Sequence, residues 1–118
     1  MTLRGRQDQG EPYRRISVED AAEMQSGGAL VVDVRDAGEW ASGHVRGALH
    51  IHVDNVLMEA DAKLPKDGDL LFICAAGVRS ALACEMVAAL GFDQVRLYNV
   101  EEGTPVWIER NLPTDRGA

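Results

Sequence analysis

A chain of 118 residues supplies one domain of polypeptide and excludes two cores of ordinary size. With 46% hydrophobic and 26% charged residues, it groups with folded globules and not with disordered or fibrous chains. Nineteen acidic against 12 basic residues give a net charge of −7, which excludes general affinity for nucleic-acid backbones or anionic membranes; any anion must be held by a local site.

Residues 1–12 are polar, aperiodic and without the apolar core of a leader, and 114–118 are similar, so flexible tails are expected on either side of a domain spanning 13–113. Tyr13 to Ile16 reads as a short edge strand. Ser17 then caps a helix, with Asp20 at the reciprocal capping position, and Gly27-Gly28 stops it. Leu30 to Val34 is apolar on both faces, as a buried parallel strand must be, and Ala48 to Ile51 is a weaker strand. Val53 to Ala62 carries Val53, Val56, Leu57 and Ala60 on one helical side and ends before Pro65. Lys66-Asp67-Gly68 is a turn into Leu70 to Cys74, the strongest central strand. A helix is predicted from about Ser80 to Leu90, closing at Gly91; Gln94 to Leu97 gives a last strand, and Thr104 to Arg110 a terminal helix anchored by Trp107. Short aliphatic runs alternating with helices predict an α/β fold, a parallel sheet covered by helices on both faces.

The segment Cys74-Ala75-Ala76-Gly77-Val78-Arg79-Ser80 joins the end of the central strand to the start of a helix, the place where open α/β sheets bind ligands. Small residues at Ala75, Ala76 and Gly77 let the backbone curl with its N–H groups inward as an anion cradle. Cys74 at its base would face those donors, the positive end of the helix and the Arg79 guanidinium, each favouring thiolate over thiol. Arg79 suits an oxyanion, and Ser80 is expected to cap the helix and add a hydroxyl donor. A nucleophilic sulfur in an anion cradle is the chemistry these residues support.

Several segments in register resemble the rhodanese family over nearly all of the chain. Val32-Asp33-Val34-Arg35-Asp36, then Glu39-Trp40, then Gly43-His44-Val45-Arg46-Gly47-Ala48 is similar to the family's first signature. Cys74 to Arg79 is similar to its catalytic loop, and Asn99 to Trp107 with Leu112-Pro113 to its closing segment. The resemblance implies a three-layer, single-domain sulfurtransferase with a five-stranded, mostly parallel sheet, using no cofactor. Cys74 would be nucleophile and sulfur carrier, residues 75–80 the anion-binding loop, and Asp33 and Arg35 supporting residues. The implied partners are a small sulfur donor such as thiosulfate or another persulfide source, a thiol or cyanide acceptor, and a protein as a further sulfur acceptor; the implied compartment is the cytoplasm. The rhodanese-like cell-cycle phosphatases hold five residues between Cys and Arg and a His before the Cys; here there are four, after Ile73, so phosphatase or arsenate chemistry ranks below sulfur transfer. A non-catalytic persulfide-sensing or partner-binding module is the alternative.

Other candidates have structural readings. Arg35 and Glu39, four apart, suit pairing across a helical turn. His44, His50 and His52 lack a Cys or carboxylate at ligand spacing, so no metal is expected. Cys84 reads as a small buried hydrophobe, and Trp40 and Trp107 as packing residues. Glu102-Gly103 stands where the family often has Gly-Gly, and His50-Ile51-His52 where it often has Asn-Ile-Pro. A Glu102 near the pocket rim would oppose anionic donors.

Overall fold

The computed structural model describes residues 4–118. Twelve elements follow in chain order: β1 (Arg14–Ile16), α1 (Val18–Ser26), β2 (Leu30–Asp33), α2 (Ala37–Ser42), β3 (His44–Val45), β4 (Leu49–His50), α3 (Val56–Lys63), β5 (Leu70–Ile73), α4 (Val78–Ala89), β6 (Leu97–Val100), α5 (Gly103–Glu109) and β7 (Thr114–Asp115). Five strands form a sheet in the order β1-β6-β5-β2-β4, and every pairing in it is parallel. The α/β architecture with helices on both faces is therefore present, and β5 is its central strand.

Side chains alternate across the sheet because successive strand residues point to opposite faces. Leu70 and Phe72 of β5 pack with Val56, Ala60, Ala83 and Val87 of α3 and α4. Leu71 and Ile73 pack on the other face with Val18, Ala21 and Trp107 of α1 and α5. All four β5 side chains are fully buried, which is why this stretch reads as an unbroken apolar run. Trp107 is fully buried as well, and its indole N–H donates to the Pro113 carbonyl at 2.9 Å. No helix among the described residues is long and apolar enough to cross a membrane.

The last strand lies further along the chain than the sequence suggests. Asp93 accepts the Val95 N–H and turns Gln94–Arg96 into a short 3-10 helix, and Leu97–Val100 forms the strand. Its pattern was masked by Asn99, a polar residue with no exposure. Likewise Val53–Asn55 is a 3-10 turn ahead of α3. Helix α2 was not among the predicted elements, although its capping box is written in the sequence: Asp36 accepts the Glu39 N–H, and Glu39 accepts the Asp36 N–H.

Described residues on both sides of the expected domain make contacts with it. Met1–Leu3 lie outside the described residues. Arg6 forms an antiparallel bridge with Arg15, the Arg14 guanidinium donates to the carbonyls of Arg4 and Gly5, and Arg4 pairs with Asp20 and Glu23 on α1. At the other end β7 pairs antiparallel with β3, and Gly117 N–H donates to Ala41. Polar composition suggested loose ends; partners distant in sequence hold both segments by backbone bonds and ion pairs.

Candidate active site

Cys74 follows the last residue of β5, where the chain leaves the sheet and turns into α4. The turn is fixed by Gly77, whose φ of +88° places it in the left-handed region and whose Cβ, if it had one, would lie 2.7 Å from the Glu101 carbonyl oxygen. Only glycine fits there. In this conformation the Gly77 N–H points back at Cys74 and donates to Sγ at 3.1 Å. Gly77 itself caps α4, so the helix begins at Val78, two residues before the predicted start.

Ser80 is consequently not the helix cap that the sequence suggests. It is fully buried, its Oγ lies 3.2 Å from Cys74 Sγ, and its hydroxyl donates to Asn99 Oδ1 at 2.6 Å. Asn99 in turn donates from Nδ2 to the Gly77 carbonyl at 3.1 Å. Behind the loop, Thr104 binds the Cys74 carbonyl twice, through its N–H at 2.8 Å and its hydroxyl at 3.2 Å. Gly103 makes that approach possible, because a Cβ on it would sit 2.1 Å from the Ala75 carbonyl oxygen. Asn99, Gly103 and Thr104 are therefore part of the site, although none was among the candidate site residues. The available signal was a polar residue and a glycine inside the closing segment.

Cys74 is 1% exposed. Burial pushes its thiol up; the backbone amides of Ser80, Ala76 and Gly77, and the Ser80 hydroxyl when its proton turns to sulfur, pull it down and prevail, leaving it below the ordinary thiol range. Cys84 lacks such donors, and burial pushes its thiol well up. Its Sγ faces the Tyr98 carbonyl at 3.6 Å, as befits a packing residue. At the outer side of the loop Ala76 and Val78 are exposed, and Ala75 and Arg79 are half-buried.

Arg79 has a partner from α2. Its guanidinium makes two bonds to the Glu39 carboxylate, at 2.7 and 3.0 Å, which hold Glu39 down at about 2 and push Arg79 up. Glu39 is thus not the partner of Arg35. Arg35 instead makes a forked pair with Asp33, with contacts of 2.7 to 3.1 Å, and donates to the Gly43 carbonyl at 2.7 Å. Both are buried, and the pair ties the end of β2 to the turn before β3. Nearby, the Trp40 ring stacks with both His44 and His50, at centroid distances of 3.5 and 4.8 Å. His44 Nδ1 donates to the Trp40 carbonyl and His50 Nε2 to that of Arg35, while His52 Nδ1 accepts the Asp54 N–H. Each histidine thus has a local structural partner. Glu102 points at α1, where it accepts the Val18 N–H at 2.8 Å.

A buried sulfur facing backbone donors at a helix start is equipped to carry negative charge on itself or on a group bonded to it. Comparison with known proteins fits that geometry. Residues 17–110 match the family model described as rhodanese-like domain. The thiosulfate sulfurtransferase GlpE of Ectopseudomonas mendocina is 34% identical over 95 residues, covering 80% of this chain and 84% of the relative. That of Stutzerimonas stutzeri is 31% identical over 103 residues, covering 87% and 91%. The crystal structure of a rhodanese-related protein from Thermoplasma volcanium superposes with a TM-score of 0.77 at 31% identity, over 87% of this chain and 98% of that one. With the parallel sheet, the strand-end cysteine loop and these relatives in agreement, the chain belongs to the rhodanese-like domain family.

Proposed function

We propose that this protein is a sulfurtransferase that moves a sulfane sulfur from a donor such as thiosulfate to a thiol or cyanide through a persulfide on Cys74. The observation that carries this reading is the Cys74 sulfur held 3.1 Å from the Gly77 amide at the first turn of α4. The names of the GlpE relatives point to thiosulfate as a donor.

In the first half-reaction the Cys74 thiolate attacks the outer sulfur of thiosulfate. A sulfur–sulfur bond forms on Cys74, the bond within thiosulfate breaks, and sulfite leaves with its electron pair. The product is a Cys74 persulfide anion, which the amides of residues 76, 77 and 80 stabilise. In the second, cyanide or a thiolate attacks the terminal sulfur and Cys74 departs as thiolate. Arg79 orients the donor: two of its five N–H groups bind Glu39, and the others remain for an oxyanion. Asp33 and Arg35 support the site by fixing the neighbouring strand end. The four residues between Cys74 and Arg79 make a loop suited to one sulfur atom more than to a phosphoryl group. Catalysis in the cytoplasm is consistent with both cysteines being free.

Intact-protein mass spectrometry before and after thiosulfate, with peptide mapping, tests the proposal. One sulfur added to Cys74 and removed by cyanide is the expected result, and Cys74→Ser abolishes both loading and transfer. Loading elsewhere, or none with thiosulfate or any other sulfane donor, would overturn the assignment in favour of a binding module.

A further inference from the structure

Behind Cys74, three buried groups form a chain in which each proton has a fixed direction. The Gly77 carbonyl can only accept, so the Asn99 amide presents its NH2 there, at 3.1 Å. Asn99 Oδ1 therefore faces Ser80 Oγ at 2.6 Å, and only Ser80 can supply that proton. A serine hydroxyl has one proton. At the 3.2 Å contact with Cys74, Ser80 is thus the acceptor and the thiol S–H the donor. When the thiol ionises, Ser80 faces the thiolate with a lone pair unless its proton swings from Asn99 to Sγ. That swing strands the carbonyl oxygen of Asn99, a residue with no exposure, and a buried acceptor without a donor is costly.

From this geometry we infer that Asn99 is a positioning residue that acts through Ser80 as a brake on Cys74, keeping the hydroxyl proton away from sulfur. The brake favours the neutral thiol at rest. The inference rests on the sulfur-carrier reading of Cys74 but concerns a different property, the proton balance of the unloaded site. Charged groups on the surrounding elements have partners of their own: Arg79 with Glu39, Asp33 with Arg35, and Glu101 with Arg6 and Arg15. Glu102 accepts from Val18, and Cys84 on α4 is held as a thiol by burial. The remaining donors to Sγ are backbone amides, which do not titrate. Replacing Asn99 leaves the Gly77 carbonyl satisfied, because the Ala81 N–H also donates to it at 3.2 Å.

The test is the pH profile of Cys74 alkylation by iodoacetamide in the full chain, with the modified peptide identified so that Cys84 is not counted. Asn99→Leu frees the Ser80 proton for sulfur, and the midpoint is expected to fall by about one pH unit, about tenfold more thiolate at neutral pH. In a Ser80→Ala background the same replacement is expected to do nothing, and Ser80→Ala alone is expected not to raise the midpoint. Asn99→Ala repeats the measurement if the leucine variant does not fold, as judged by its thermal transition. An unchanged or raised midpoint on replacing Asn99, a shift that persists without Ser80, or a raised midpoint in Ser80→Ala overturns the inference. Because alkylation needs no sulfur donor, these outcomes are independent of whether Cys74 loads sulfur from thiosulfate.

Discussion

Glu39 does two jobs with one carboxylate. It completes the cap of α2 by accepting the Asp36 N–H, and it clamps the one guanidinium of the Cys74–Ser80 loop, that of Arg79. Its folded carboxyl sits at about 2, chiefly because of Arg79, against an ordinary value of 4.5. A carboxyl lowered on folding adds stability above its unfolded value, and that stability fades as pH falls from about 4.5 toward 2. The clamp is therefore intact at neutral pH. Glu39→Gln is expected to cost no more than about 1 kcal/mol, as a partly exposed pair does, and to lower the KM for thiosulfate several-fold by releasing positive charge at the site. Steady-state kinetics beside thermal melts of the same variant would check this; an unchanged or raised KM counts against a donor-orienting Arg79. At this scale the positions of Cys74 at the strand end, Gly77 in the turn and Arg79 in the first turn of α4 were legible, because small residues, a glycine and a basic residue between strand and helix form a local pattern. The Arg79–Glu39 pair was not, since 40 positions separate its members.

The starts of α4 and α5, the two helices beside the cysteine loop, are each set by a glycine with positive φ, Gly77 and Gly103. Gly103 opens α5 with φ +84°, and the Ala75 carbonyl lies 2.1 Å from where a Cβ would be. Gly103→Ala must displace either α5 or the cysteine loop, so Thr104 loses its hold on the Cys74 carbonyl. Left-handed strain costs about 1–2 kcal/mol before the clash is counted. The expected outcome is a lower urea midpoint together with slower sulfur loading of Cys74; native stability with native loading would show that α5 does not position the loop. The element scale also explains where the sequence misleads. Ser80 has the residue type of a helix cap, but the positive φ of Gly77 starts α4 earlier and turns Ser80 inward. Asn99 breaks the apolar pattern of β6, so the strand was placed too early, because it is buried for its hydrogen bonds and not for hydrophobicity.

Across the whole molecule, a net charge of −7 opposes the approach of a dianionic donor. Glu102, which would oppose such a donor if it lay at the pocket rim, is turned to the start of α1 and contributes there to helix capping. The repulsion thus comes from the overall charge and is screened over a Debye length of about 10 Å at 0.1 M salt. Thiosulfate activity is expected to rise with moderate salt. A steep fall in kcat/KM over the same range would mean that local attraction by Arg79 outweighs the global field. The ends of the chain matter at this scale as well: Arg6 and Arg15 reach Glu101 beside the Gly77 turn, and β7 closes against β3.

The sequence by itself determined the alternation of strand and helix, the central β5, the strand-end cysteine and the glycine that turns the loop, because periodicity, glycine dihedrals and residue chemistry are local properties. It also carried the family resemblance, whose motifs are runs of neighbouring residues. Only the tertiary structure decided who partners whom: Arg79 with Glu39, Asp33 with Arg35, Ser80 with Asn99, Glu102 with the α1 N-terminus, Arg4 with α1, and β7 with β3. Those choices depend on which strand lies beside which in the order β1-β6-β5-β2-β4. A parallel sheet brings the ends of distant strands to one edge, so the polar groups around Cys74 meet through chain topology and not through spacing in the sequence.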